Sequence, residues 1–174
     1  MDTLSHGLWG GAVFGQKDHQ WKWAFLWGMC PDLFSFGPFF LTHFPAILER
    51  WRHHQFGHPD HRMIPSYVYQ AYHVTHSLVT WAVLMTLAVL IYRRRAWPMA
   101  AWGLHILCDI PTHSTRFFPT PYLWPFETPY YDGIPWARKS FMVGNYLAIL
   151  GTYLALLGYR KWKTRIPATL PSVR

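Results

Sequence analysis

FMVGNYLAILGTYLALLGY, residues 141–159, runs nineteen positions without a charged side chain. As a helix it would rise about 28 Å, close to the roughly 30 Å hydrocarbon core of a bilayer. RKWKTR follows at 160–165. An apolar run closed by basic residues reads as a membrane helix with a cytoplasmic flank. The same pattern occurs at 65–92, PSYVYQAYHVTHSLVTWAVLMTLAVLIY, followed by RRR at 93–95. Three shorter segments also read as helices: 3–16, 21–32 (resuming through 33–44), and 97–113. They fit a membrane only when packed inside a bundle, where neighbours satisfy their polar groups. The expectation is an all-α, polytopic membrane bundle of about five helices.

Two long loops should lie outside it. HFPAILERWRHHQFGHPDHRM, 43–63, carries five of the eleven histidines and reads as a solvated surface. FFPTPYLWPFETPYYDGIPW, 117–136, carries five prolines and eight aromatics. It cannot form a regular helix. It is too apolar for a solvated linker and reads as an interfacial cap. Residues 1–165 form one membrane-embedded domain in this reading, and 166–174 a basic, disordered tail.

Composition agrees. Hydrophobic residues make up 51% of the 174 and charged residues 14%, against about 25% charged in soluble domains. Aromatics reach 19%, which suits membrane interfaces. Mean hydropathy is close to zero, so the apolar residues are concentrated in segments. The net charge is +8. The basic residues cluster at the ends of apolar runs, which argues for a bilayer and against nucleic acid as the partner. If the clusters at 17–22, 93–95 and 160–165 are all cytoplasmic, the helices alternate consistently, with the N-terminus outside and the C-terminus inside. Arg50, Arg52, Arg62, Arg116, Arg138 and Lys139 run against that rule. Cys30 and Cys108 form no disulfide framework and read as small buried hydrophobes. The N-terminus lacks a basic leader and a small-residue cleavage site, so no signal peptide is expected.

Against this apolar background stand a few ionisable residues. In GLHILCDIPTH, 103–113, His105, Asp109 and His113 recur every four residues, which puts them on one helix face. Pro111 should bend or end that helix, leaving His105 and Asp109 as the firmer pair. In the alternating topology, His6, Asp32, His73, His76, His105 and Asp109 would all fall in the outer half of the membrane. Intramembrane ionisable groups are costly and are functional-site candidates by default. Imidazoles with carboxylates suit zinc, manganese or non-haem iron. Each residue also has a plain structural reading: a hydrogen-bonded core histidine, or a helix cap for Asp32 and a helix end for Asp109. All of those readings would have to hold independently.

TLSHGLWGG, GMCPDLFSF, YHVTHSLVTW and WGLHILCDIPTH, in that order, resemble the YdjM-like membrane-bound metal-dependent hydrolases. That family is grouped with zinc-dependent phospholipases C and single-strand nucleases. The resemblance covers roughly residues 3–113. It implies a helical fold holding two or three divalent ions, with His6, Asp32, His76, His105 and Asp109 as ligands. Where many members carry a second acid in a PDxD motif, this chain has Phe34.

The expected function is an integral-membrane hydrolase of a lipid or lipid-linked phosphoester, acting through metal-activated water with one to three zinc ions. Asp32 and Asp109 are the candidate catalytic carboxylates. His73 and His113 are weaker or indirect ligands, and Arg116 and Arg138 would meet the substrate phosphate. The site would lie in the extracytoplasmic half of a bacterial or archaeal cytoplasmic membrane. Two other classes remain open: an ion or proton transporter with an intramembrane His/Asp cluster, and a haem-binding electron-transfer protein.

Overall fold

The computed structural model describes residues 1–17, 19–53 and 63–165. The tail 166–174 and the centre of the His-rich loop, with Arg62, lie outside the described residues. Among those described, every regular element is helical. The chain runs through α1 (Thr3–Phe14), α2 (Trp21–Arg52), α3 (Ser66–Thr75), α4 (Leu78–Tyr92), a 3-10 helix (Arg93–Met99), α5 (Ala100–Thr112) and α6 (Lys139–Arg165).

α2 departs from the expectation most. Its 32 residues include Pro31, Pro38 and Pro45, and it continues through 43–52, which reads as loop in the sequence. Each proline removes one intrahelical donor. Bundled membrane helices tolerate such gaps in the backbone ladder. The carbonyls left without a helical donor are those of Trp27, Phe34 and Leu41; the Ser35 and Thr42 hydroxyls add bonds elsewhere, to the Pro31 carbonyl at 2.8 Å and the Pro38 carbonyl at 2.9 Å. Beyond Pro45, Glu49 pairs with Arg52 at 3.4 Å and with His53 at 3.0 Å. These i,i+3 and i,i+4 pairs support the last turns.

The segment 65–92 is also not one helix. It breaks at His76 and Ser77 with a 58° bend. Ser77 caps α4, its hydroxyl accepting from the amides of Val79 and Thr80 at 3.1 and 3.3 Å. The Leu78 amide donates to the Tyr122 carbonyl at 2.9 Å. The break is therefore satisfied by the 117–136 loop, which is non-helical as expected. That loop is also strapped to the end of α5. The amides of Gly133, Ile134 and Trp136 donate to the carbonyls of His113, Pro111 and Thr112 at 2.8, 2.9 and 2.9 Å. A Cβ on Gly133 would lie 2.3 Å from the Pro111 carbonyl oxygen, so only glycine fits this approach.

α1, α2 and α5 form the centre of the bundle. α1 and α2 meet through small residues: a Cβ on Gly28 would lie 2.5 Å from the His6 carbonyl oxygen. Close backbone approach of this kind is a membrane helix-packing device. α6 docks on α1 through polar contacts. Trp9 donates to Asn145 at 3.0 Å, Asn145 to Ser5 at 2.8 Å, and Tyr153 to the Leu8 carbonyl at 2.8 Å.

The outside is apolar. α4 has no buried residue, and Leu87, Leu90, Ile91, Leu147, Leu150 and Leu154 are all exposed. By length and composition, Trp21–Glu49 and Lys139–Thr164 can each cross a membrane, and the bent pair makes a third crossing if it counts as one span. The three basic clusters share one end of the bundle. Phe14 packs edge-on against Trp97, and Arg160 donates to Gln16 at 2.8 Å.

Candidate metal centre

The opposite half of the bundle holds a buried knot of imidazoles and carboxylates. α1 brings His6, α2 brings Asp32, the α3–α4 break brings His76, and α5 brings His105 and Asp109. Two groups of converging donor atoms result, each within 4.8 Å: His6, His105 and Asp109, and Asp32, His76 and His105. His105 belongs to both. Its Nε2 lies 3.1 Å from Asp109 Oδ2, 3.8 Å from Asp32 Oδ1 and 3.1 Å from His76 Nε2. His76 Nε2 lies 3.4 Å from Asp32 Oδ1 and 3.6 Å from Asp109 Oδ2. Donor atoms around a tetrahedral zinc ion are spaced roughly 3.4 Å apart, given ligand bonds of about 2.0–2.2 Å.

The hydrogen-bond pattern sets the electrostatics. His105 Nδ1 lies 2.7 Å from the Gly28 carbonyl oxygen. A carbonyl only accepts, so Nδ1 carries the proton. In neutral His105 the Nε2 lone pair then points at two carboxylate oxygens, which are also acceptors. The His76 Nε2 also lies 3.1 Å from this nitrogen, so a cation between these groups, a proton on His105 or a proton donated by His76 Nε2 would each meet that lone pair. His6 gives a second indication. Its Nε2 is 2.8 Å from Asp109 Oδ1, but the approach lacks hydrogen-bond geometry. Both ring nitrogens of His6 are buried without a hydrogen-bond partner. Unsatisfied buried polar atoms are rare in folded proteins, and a bound ion is one way to satisfy them. The His6 and His105 rings stack with centroids 3.5 Å apart. Among the described residues no Lys or Arg side chain pairs with Asp32 or Asp109; the Met1 amine contacts Asp109, and Thr112 Oγ1 at 3.2 Å. The donor set fits a divalent ion in its chemistry, its burial and its unmet valence.

The surroundings hold these groups in place. Thr3 Oγ1 donates to Asp32 Oδ2 at 2.7 Å, leaving Oδ1 toward the centre. The Tyr72 ring stacks on His76 at 3.8 Å, and its hydroxyl donates to the Phe118 carbonyl at 3.0 Å. His113 caps α5, with Nδ1 3.4 Å from Asp109 Oδ1. Pro111 fits in the last turn, so the helix ends one residue before His113.

Five of the sequence candidates thus converge, with His113 at their edge. His73 is half-buried on α3 and belongs to neither group. Arg116 and Arg138 are exposed. Arg116 lies close enough to Asp132 to help hold that exposed carboxyl below the usual range, after the larger effect of hydrogen bonds from Thr115. Cys30 and Cys108 are free and half-buried, not fully buried as expected. Sequence reasoning missed Thr3 and Gly28. Thr3 stands one turn before His6, a signal that was present. Gly28 acts through its carbonyl, which leaves no side-chain signature.

No family model, curated protein or solved structure matches the chain.

Proposed function

We propose that the chain is an integral-membrane, metal-dependent hydrolase that cleaves a phosphoester of a lipid or lipid-linked substrate, with zinc as its ion. The observation that carries this reading is His105. Its Nδ1 is committed to the Gly28 carbonyl, and its Nε2 faces acceptor atoms at 3.1 and 3.8 Å. The ordered motifs support membership of the YdjM-like family. A divalent ion held by His6, Asp32, His76, His105 and Asp109 supplies Lewis acidity and brings water ionisation near neutral pH.

The protein's own groups do the rest. His105 and Asp109 hold the two halves of the centre together. Asp32, the most accessible of the five at 9% exposure, is the carboxylate placed to take up the proton, and Thr3 fixes its orientation through Oδ2. The 117–136 loop excludes water above His76 and presents Phe126, Tyr130 and Tyr131 to the bilayer interface. Arg116 and Arg138 receive the phosphate of the headgroup. The site lies in the extracytoplasmic half of a bacterial or archaeal cytoplasmic membrane, on the side away from the basic clusters. Haem ligation asks for facing imidazoles and no carboxylate, so the two aspartates favour a divalent ion.

The test uses the full chain in phospholipid vesicles. Phosphate-containing headgroup should be released, release should stop after chelation, and zinc should restore it. Metal-independent proton or ion flux without headgroup release would replace this reading with transport.

A further inference from the structure

At the basic end of the bundle a groove of about 330 Å³ is lined by Met85, Val89, Arg93, Arg94 and Trp97. Met85 and Val89 stand one turn apart on α4 and, with the Trp97 indole, make an apolar floor. Arg93 and Arg94 also line the groove. Just outside it, Leu87, Leu90 and Ile91 of α4 are exposed as on a lipid-facing helix. Arg93, Arg94 and Arg95 are exposed, and among the described residues none makes an ion pair. The described carboxylates lie elsewhere. Asp2 caps the other end of α1, Asp32 and Asp109 are in the metal centre, Glu49 ends α2, and Glu127 and Asp132 are in the far loop. Arg93 also holds φ 53° and ψ −125°, a conformation that side chains other than glycine rarely adopt. An arginine kept at such a position, with no ion-pair partner among the described residues, points to a ligand.

We propose that this groove holds the phosphate headgroup of an anionic bilayer lipid. Arg93 and Arg94 take the phosphate oxygens, the start of the acyl chain lies along Met85 and Val89, and Trp97 sits at the headgroup level. Polybasic segments beside membrane helices recruit anionic lipid in this way. The site is at the opposite end from the metal centre and does not depend on the hydrolase reading.

The experiment uses the full chain in phosphatidylcholine vesicles doped with a brominated lipid, and reads Trp97 as the fluorescence difference between wild type and Trp97→Phe. Brominated phosphatidylglycerol should quench Trp97 several-fold more than brominated phosphatidylcholine at equal content. Arg93→Gly suits the local backbone and should weaken that preference about fivefold, as should Arg94→Gln. Arg95→Gln, outside the groove, should change it less than twofold. Equal quenching by the two lipids, or an equal loss in Arg95→Gln, would overturn the site. Relief of the quenching by millimolar inorganic phosphate would assign the groove to a soluble anion and overturn the lipid.

Discussion

At the scale of single residues, the centre is a matter of which lone pairs are free. The Gly28 carbonyl fixes the His105 proton on Nδ1, and the Thr3 hydroxyl occupies Asp32 Oδ2. Groups that orient ligands in this way typically control metal affinity by about 10–100-fold. Thr3→Val keeps the shape and removes the donor. It should weaken zinc affinity in that range, measured by competition with a chromogenic chelator, while the thermal midpoint in detergent stays near wild type. Unchanged affinity would mean that the Thr3 contact is packing only. The candidate ligands were legible in the sequence, because ionisable residues stand out in apolar helices. His105 and Asp109 also carry helical spacing. The residues that orient them were less so: a threonine looks like any helix residue, and a backbone carbonyl looks like nothing at all.

At the scale of elements, the helix break at Ser77 and the 117–136 loop form one device. The Tyr122 carbonyl accepts from Leu78, and the Trp124 carbonyl from the Ser77 hydroxyl at 2.5 Å. The loop is thereby fixed beside His76 while Phe126 stays 65% exposed, free to meet lipid. Replacing both Trp124 and Phe126 by Ala should reduce turnover of a long-chain lipid phosphoester by at least tenfold more than that of a small water-soluble ester. Equal losses on the two substrates would reduce the loop to a folding element. The loop's lack of helix was legible from its prolines. The same rule misled in α2, where three prolines sit inside one helix, as bundled membrane helices tolerate. The break at Ser77 was not legible either. A serine in an apolar run reads as ordinary helix unless its partner in the distant loop is known.

At the scale of the whole molecule, the three basic clusters lie at one end of the bundle and the carboxylates of the centre lie away from it, with Arg52, Arg116, Arg138 and Lys139 as exceptions to the sorting. That sorting was readable from the flanks of 65–92 and 141–159, as was the all-helical bundle, whereas the break that divides 65–92 into α3 and α4 was not. The proposed sidedness rests on that sorting. In a background with Cys30 and Cys108 replaced by Ala, Glu127→Cys should react with an impermeant thiol reagent added to intact cells, and Thr164→Cys should not. The reverse pattern would invert the orientation. The central claim is that five side chains from four parts of the chain share metal, and elemental analysis of purified protein tests it most directly. Wild type should retain at least one zinc ion per chain. Asp109→Asn keeps the size of the side chain but removes its charge, and it should lose at least one ion per chain. His105→Ala should lose as much, and Asp132→Asn, in the exposed loop, should lose none. Full metal content in Asp109→Asn, or wild type purified without metal and unable to take it up, would contradict the account.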